Sequence, residues 1–103
     1  MTMTGKERAI LRADANKLKP TVHVGAAGLT DALLESCNDA LRTHEMVKVA
    51  LGKTLDIPAK VAARQLAESL GADVIQVIGK TTTIYRFNPE LKRTRGDLPP
   101  WKQ

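Results

Sequence analysis

The chain has 103 residues, 43% of them apolar and 26% charged, with a formal net charge of +5 and an isoelectric point near 9.7. That length suits one domain, no run approaches the ~18 consecutive apolar residues of a membrane-spanning helix, and the single Cys37 excludes an intrachain disulfide. The basic charge sits at the ends: residues 1–20 hold five basic and two acidic side chains and residues 80–103 six and two, whereas residues 21–79 hold five and seven.

Thr4-Gly5-Lys6-Glu7 has the form of a capping box. It predicts a helix to about Leu18, with Pro20 blocking continuation. Leu11, Ala15 and Leu18 form one apolar stripe with Ile10 on its flank, and Arg8, Arg12 and Lys19 gather along one edge of it. Thr21–Val24 reads as a short strand that stops at Gly25-Ala26-Ala27-Gly28. Thr30 is a good N-cap for a second helix running to about Arg42. Leu33, Leu34, Cys37 and Leu41 make its buried face, and Asp31, Glu35 and Asp39 an acidic outer stripe that would repel phosphate.

Met46 to Leu51 alternates as a half-buried strand should. Asp56-Ile57-Pro58 then opens a third helix carrying Val61, Ala62, Leu66 and Leu70 and ending at Gly71. Val74–Ile78 reads as a central strand, and Gly79-Lys80 turns it into a last strand over Thr82–Phe87, giving a hairpin. The expected fold is α/β, in the α+β two-layer sense: α-β-α-β-α-β-β, with a four-stranded mixed sheet and packed helices. Residues 1–88 form the single domain and residues 89–103 a basic tail, mobile in the free protein.

The net charge points to a polyanionic partner, the alternative being ordinary scatter of surface charge. Three aromatic residues, Tyr85, Phe87 and Trp101, are too few for a platform that stacks single strands. The N-terminus lacks the apolar segment of a secretory signal, and a lone cysteine fits a reducing compartment, so a cytoplasmic location is expected.

Gly25-Ala26-Ala27-Gly28 joins a strand to a helix start, where small residues let the backbone approach a ligand and free amides favour an anion. Glycines in such turns are more often there for the turn alone. His44-Glu45 has no nucleophile beside it in the sequence and is read as serving turn geometry or a local hydrogen bond. His23 and Cys37 do not make a metal site, and Cys37 is read as a small core residue. Tyr85 and Phe87 are read as packed side chains. Lys92-Arg93-Thr94-Arg95 is either a solvated tail or a contact for the polyanionic partner, the second being favoured.

The stretches Arg8–Arg12, Leu18-Lys19-Pro20, Val22–Thr30, Ala40–Val49, Gln76–Lys80 and Ile84–Arg86, in that order and spacing, resemble the YhbY/CRM-domain family of RNA-binding proteins, over roughly residues 4–87. The resemblance implies a fold similar to the C-terminal domain of translation initiation factor three. It also implies a GxxG loop at Gly25, Ala26, Ala27 and Gly28, a basic first helix bearing Lys6, Arg8 and Arg12, and, for a stand-alone bacterial type, association with precursors of the large ribosomal subunit. Many relatives have a lysine in the loop where this chain has Ala26 and Ala27, and a basic residue where it has Ala50.

The expectation is therefore a non-enzymatic protein without cofactor, metal or membrane contact. It binds structured, ribosomal RNA through Gly25–Gly28, Lys6, Arg8, Arg12, Lys19, Lys48, Lys80 and Arg86. The alternative is a protein-interaction module that docks on a ribosomal protein or assembly factor through the Asp31/Glu35/Asp39 stripe. A nucleotide-binding enzyme ranks last, because the turn lacks the lysine of GxxxxGK[ST] and the spacing of GxGxxG.

Overall fold

The computed structural model describes residues 5–52 and 56–88. Its elements are α1 (Gly5–Ala15), β1 (Val22–Val24), α2 (Asp31–His44), β2 (Met46–Leu51), α3 (Ala59–Leu70), β3 (Asp73–Ile78) and β4 (Thr81–Tyr85). These are the seven expected elements in the expected order. Helix α1 ends at Ala15 instead of Leu18 because the next turn tightens: Lys17 N donates to Asp14 O and Leu18 N to Ala15 O, each three residues back. Strand β4 ends at Tyr85 instead of Phe87, after which Arg86 N still donates to Glu45 O at 2.8 Å. The N-cap of α3 is Pro58, with no side-chain cap, in place of the expected cap at Asp56 with Pro58 in the first turn. The Thr4 capping box and the tail from Pro89 onward lie outside the described residues.

The sheet order is β1-β2-β4-β3, so β3, expected as a central strand, lies at the edge and the hairpin's second strand β4 takes the central place. Strand β1 runs parallel to β2, and β4 is antiparallel to both β2 and β3, so β1, β2 and β3 share one direction. This is the mixed sheet that two strand–helix–strand crossovers followed by a hairpin produce.

Side-chain alternation divides the core between the two faces. Val22, Val24, Val47, Val49, Leu51 and Ile84 point to one face and pack with Cys37 and Leu41 of α2 and Ala62, Leu66 and Leu70 of α3. Leu41 and Leu66 are fully buried there, each worth about 1.5–3 kcal/mol relative to an exposed side chain. On the opposite face Met46, Ile75 and Tyr85 pack under Leu11 and Ala15 of α1, with Leu18 half-buried beside them. The two expected layers therefore become three over part of the sheet. A bulge between Val74 and Gln76 adds Ile75 as an extra residue on β3 and turns it into the α1 cluster.

Candidate nucleic-acid interface

The glycine turn is a tight one. Gly28 N donates to Gly25 O at 3.0 Å, leaving Ala26 and Ala27 exposed at the tip. Gly28 has φ 78°, a left-handed conformation that glycine adopts at least cost. Thr30 N then donates to Gly28 O at 3.0 Å, and Thr30 Oγ1 accepts from Leu33 N at 3.2 Å, capping α2 directly after the turn. The cap leaves less of the helix start for an anion, and Asp31 adds a negative charge to the first turn.

Because β1, β2 and β3 run in one direction, the segments that follow them meet at one end of the sheet. Two backbone hydrogen bonds stitch them together: Gly52 N donates to Val24 O at 2.8 Å, and Leu51 N to Lys80 O at 2.7 Å. The glycine turn, the end of β2 and the Gly79–Lys80 turn are thereby held as one surface. Lys80 is exposed on it. Helix α3 runs back from this end, since its last carbonyl, Leu70 O, meets Arg86 beyond the far end of β4. Exposed Lys60, in the first turn of α3, therefore belongs to the same end. Lys60 is missing from the expected set although the crossover order, which returns each helix start to the ends of the parallel strands, could have found it.

The remaining expected cations divide into two groups. Lys6, Arg12 and Lys19 are exposed on or just after α1. Arg12 lies on the edge of α1 that meets β3, between Arg8, whose Nη1 donates to Val74 O at 3.0 Å, and Asn16, whose Oδ1 accepts from Gln76 Nε2 at 3.1 Å. Arg8, Lys48 and Arg86 are instead engaged inside the fold. Lys48 Nζ donates to Ala15 O and Leu18 O, both at 3.2 Å, and so closes the C-terminal end of α1. Arg86 reaches the α2/α3 side, donating from Nη1 to Leu70 O at 2.8 Å and from Nη2 to Asn38 O at 3.3 Å. The expected single basic surface thus loses Arg86 to the opposite side of the sheet and has Arg8 and Lys48 turned inward.

The acidic stripe of Asp31, Glu35 and Asp39 is exposed on α2, on the side of the sheet opposite α1, with Asp39 paired to Arg42 at 3.3 Å. Glu45 joins α2 to β2 with φ 64°, a strained value for a non-glycine residue, and is fully buried. Its carboxylate accepts from Asn88 N at 2.6 Å and its carbonyl from Arg86 N, a structural role for the His44-Glu45 pair. Burial pushes the Cys37 thiol up, which keeps it in the inert neutral form. Phe87, expected to pack, is 44% exposed. A cleft of about 280 Å³ opens between α2 and the stretch of β2 that the short β1 leaves uncovered, lined by Leu18, Ser36, Ala40, His44 and Met46. It lies away from the glycine turn.

The chain matches the model of the CRS1/YhbY (CRM) domain over residues 3–86. It is 29% identical to the probable RNA-binding protein YqeI of Bacillus subtilis over 91 residues, 88% of this chain and 95% of that one. It is 30% identical to the probable RNA-binding protein PA4753 of Pseudomonas aeruginosa over 98 residues, 95% of this chain and 94% of that one. The solution structure of the hypothetical protein SAV1595 from Staphylococcus aureus superimposes with a TM-score of 0.75 at 29% identity, covering 91% of this chain and 98% of that one. With the family model matched from α1 to β4 and relatives of 29–30% identity covered nearly end to end, the chain belongs to the CRS1/YhbY (CRM) domain family.

Proposed function

We propose that this protein binds structured RNA, with the turn Gly25–Gly28 set against the sugar–phosphate backbone. The observation that carries the reading is the shared end of the sheet, where hydrogen bonds through the end of β2 tie a turn bearing nothing larger than a methyl group to the turn of exposed Lys80, with exposed Lys60 at the same end. A backbone that close to solvent can approach a phosphodiester, and nearby ammonium groups stabilise the contact. Lys6, Arg12 and Lys19 extend the positive field over α1. Relatives named as probable RNA-binding proteins support the ligand class. Ribosomal RNA in assembling large subunits, in the cytoplasm, is the proposed target.

The exposed Ala26 and Ala27 give a cleaner test than the glycines, because aspartate at Gly28 would also strain the backbone. The double variant Ala26→Asp/Ala27→Asp is expected to keep the parent melting temperature and to lose affinity for large-subunit ribosomal RNA by about tenfold or more in a filter-binding titration, as like charges near phosphate cost several kcal/mol. Parent-level affinity in that variant would remove the turn from the interface. Co-sedimentation of the tagged protein with pre-large-subunit particles on a sucrose gradient checks the proposed target.

A further inference from the structure

We infer that the half of the sheet left uncovered by α1, next to the glycine turn, seats unpaired nucleobases of the bound RNA. The inference rests on the RNA-binding reading and narrows it to RNA with single-stranded loops or bulges. Register places four residues in one row across all four strands: His23 pairs with Ala50, Ala50 with Thr81, and Thr81 with Ile78. By alternation these side chains face the same side as α1, since Val22, Val24, Val49 and Leu51 face the other. Helix α1 does not reach them. The α1 cluster is made by Met46, Ile75 and Tyr85, towards the opposite end of the strands.

The row is open. His23 is exposed, Ala50 and Thr81 are half-buried, and Ile78 is 61% exposed, an unusual position for a large aliphatic side chain in a sheet. Four strands at their usual spacing make a shelf about 14 Å wide. One border is the end surface bearing the glycine turn and Lys80, and the other is α1. No residue of the row is acidic, so the shelf places no negative charge between the turn and α1. A backbone held at the turn would direct its bases onto this face. There His23 offers a ring to stack on, Ile78 and Ala50 an apolar floor, and Thr81 a hydroxyl for a base edge. A paired helix cannot fill such a shelf, because its bases are stacked within the duplex, whereas loops and bulges splay theirs out.

The test compares two RNAs of equal length and charge, a hairpin with an unpaired loop and a blunt duplex, by fluorescence anisotropy. His23→Ala/Ile78→Ser is expected to weaken hairpin binding by about tenfold, the scale of one lost stacked base, while duplex binding stays at the parent level. Both positions are exposed, and an unchanged melting curve verifies the fold. Photo-crosslinks from 4-thiouridine in the loop are expected on peptides containing residues 23 or 78. Equal losses on both RNAs, or no loss on either, overturn the shelf. If Ala26→Asp/Ala27→Asp still weakens both RNAs in that case, the turn reading survives alone; a parent protein that binds neither RNA overturns both. Unchanged hairpin binding with lost self-association in sedimentation would give the shelf to a second copy of the chain and overturn the proposal.

Discussion

At Arg86 one side chain holds two helices to the sheet. Its guanidinium meets Leu70 O, a terminal carbonyl of α3 that has no partner within the helix, and Asn38 O of α2. Two charge-assisted bonds from a half-buried position predict that Arg86→Ala lowers stability by about 2–3 kcal/mol, measured by urea denaturation. Arg86→Lys should recover only part of it, because an ammonium lacks the planar fork that spans both carbonyls. RNA affinity measured well below the melting temperature should stay at the parent level in both variants. Loss of RNA binding in a fully folded Arg86→Lys protein would return this residue to the interface. Sequence makes the charge of Arg8, Lys48 and Arg86 legible but not its direction. Nothing local distinguishes a cation reaching for solvent from one reaching for a carbonyl 16 or 66 residues away.

At the scale of elements, the periodicities of α2, β2 and α3 were readable because each buries one continuous face. Placement of α1 was not. Met46, Lys48 and Ala50 look like the solvent side of β2, yet Met46 is buried under Leu11 and Ala15, and Lys48 is drawn to the end of the same helix. The joint between β1 and β2 was equally hidden. A Cβ built on Gly52 would stand 2.6 Å from Val24 O, closer than real Cβ atoms come to a neighbour, and 3.8 Å from Gly25 Cα. Gly52→Ala must therefore push β2 from the strand that delivers the glycine turn. The expected cost is about 1–3 kcal/mol of stability, as for other overpacked sites. RNA affinity should fall more than in Val47→Ala, a core truncation remote from the turn. Equal RNA affinity in the two variants, at temperatures where both are folded, would show that the turn does not depend on this joint.

For the whole molecule, charge is arranged by side. Lys6, Arg12 and Lys19 accompany α1, Lys60 and Lys80 stand at the sheet end, and the acidic stripe of α2 lies opposite α1. The α2/α3 side also carries exposed Arg42, Lys60 and Arg64, so the contrast lies between the cations along α1 and the acidic stripe of α2, which a net charge of +5 alone does not convey. If the five outward cations Lys6, Arg12, Lys19, Lys60 and Lys80 neutralise phosphates, the logarithm of the RNA association constant should fall against the logarithm of salt concentration with a slope of about −4, at ~0.7–0.9 per phosphate. Lys80→Ala should make that slope shallower by nearly one phosphate contact. Lys48→Met should leave the slope unchanged and lower the melting temperature instead, because its ammonium holds Ala15 O and Leu18 O inside the fold. The two variants remove the same formal charge, so a different slope cannot come from net charge. It must come from where each ammonium points. Identical slopes for Lys80→Ala and Lys48→Met would mean that the RNA senses only the total, and the sheet end would lose its claim to the phosphate contact.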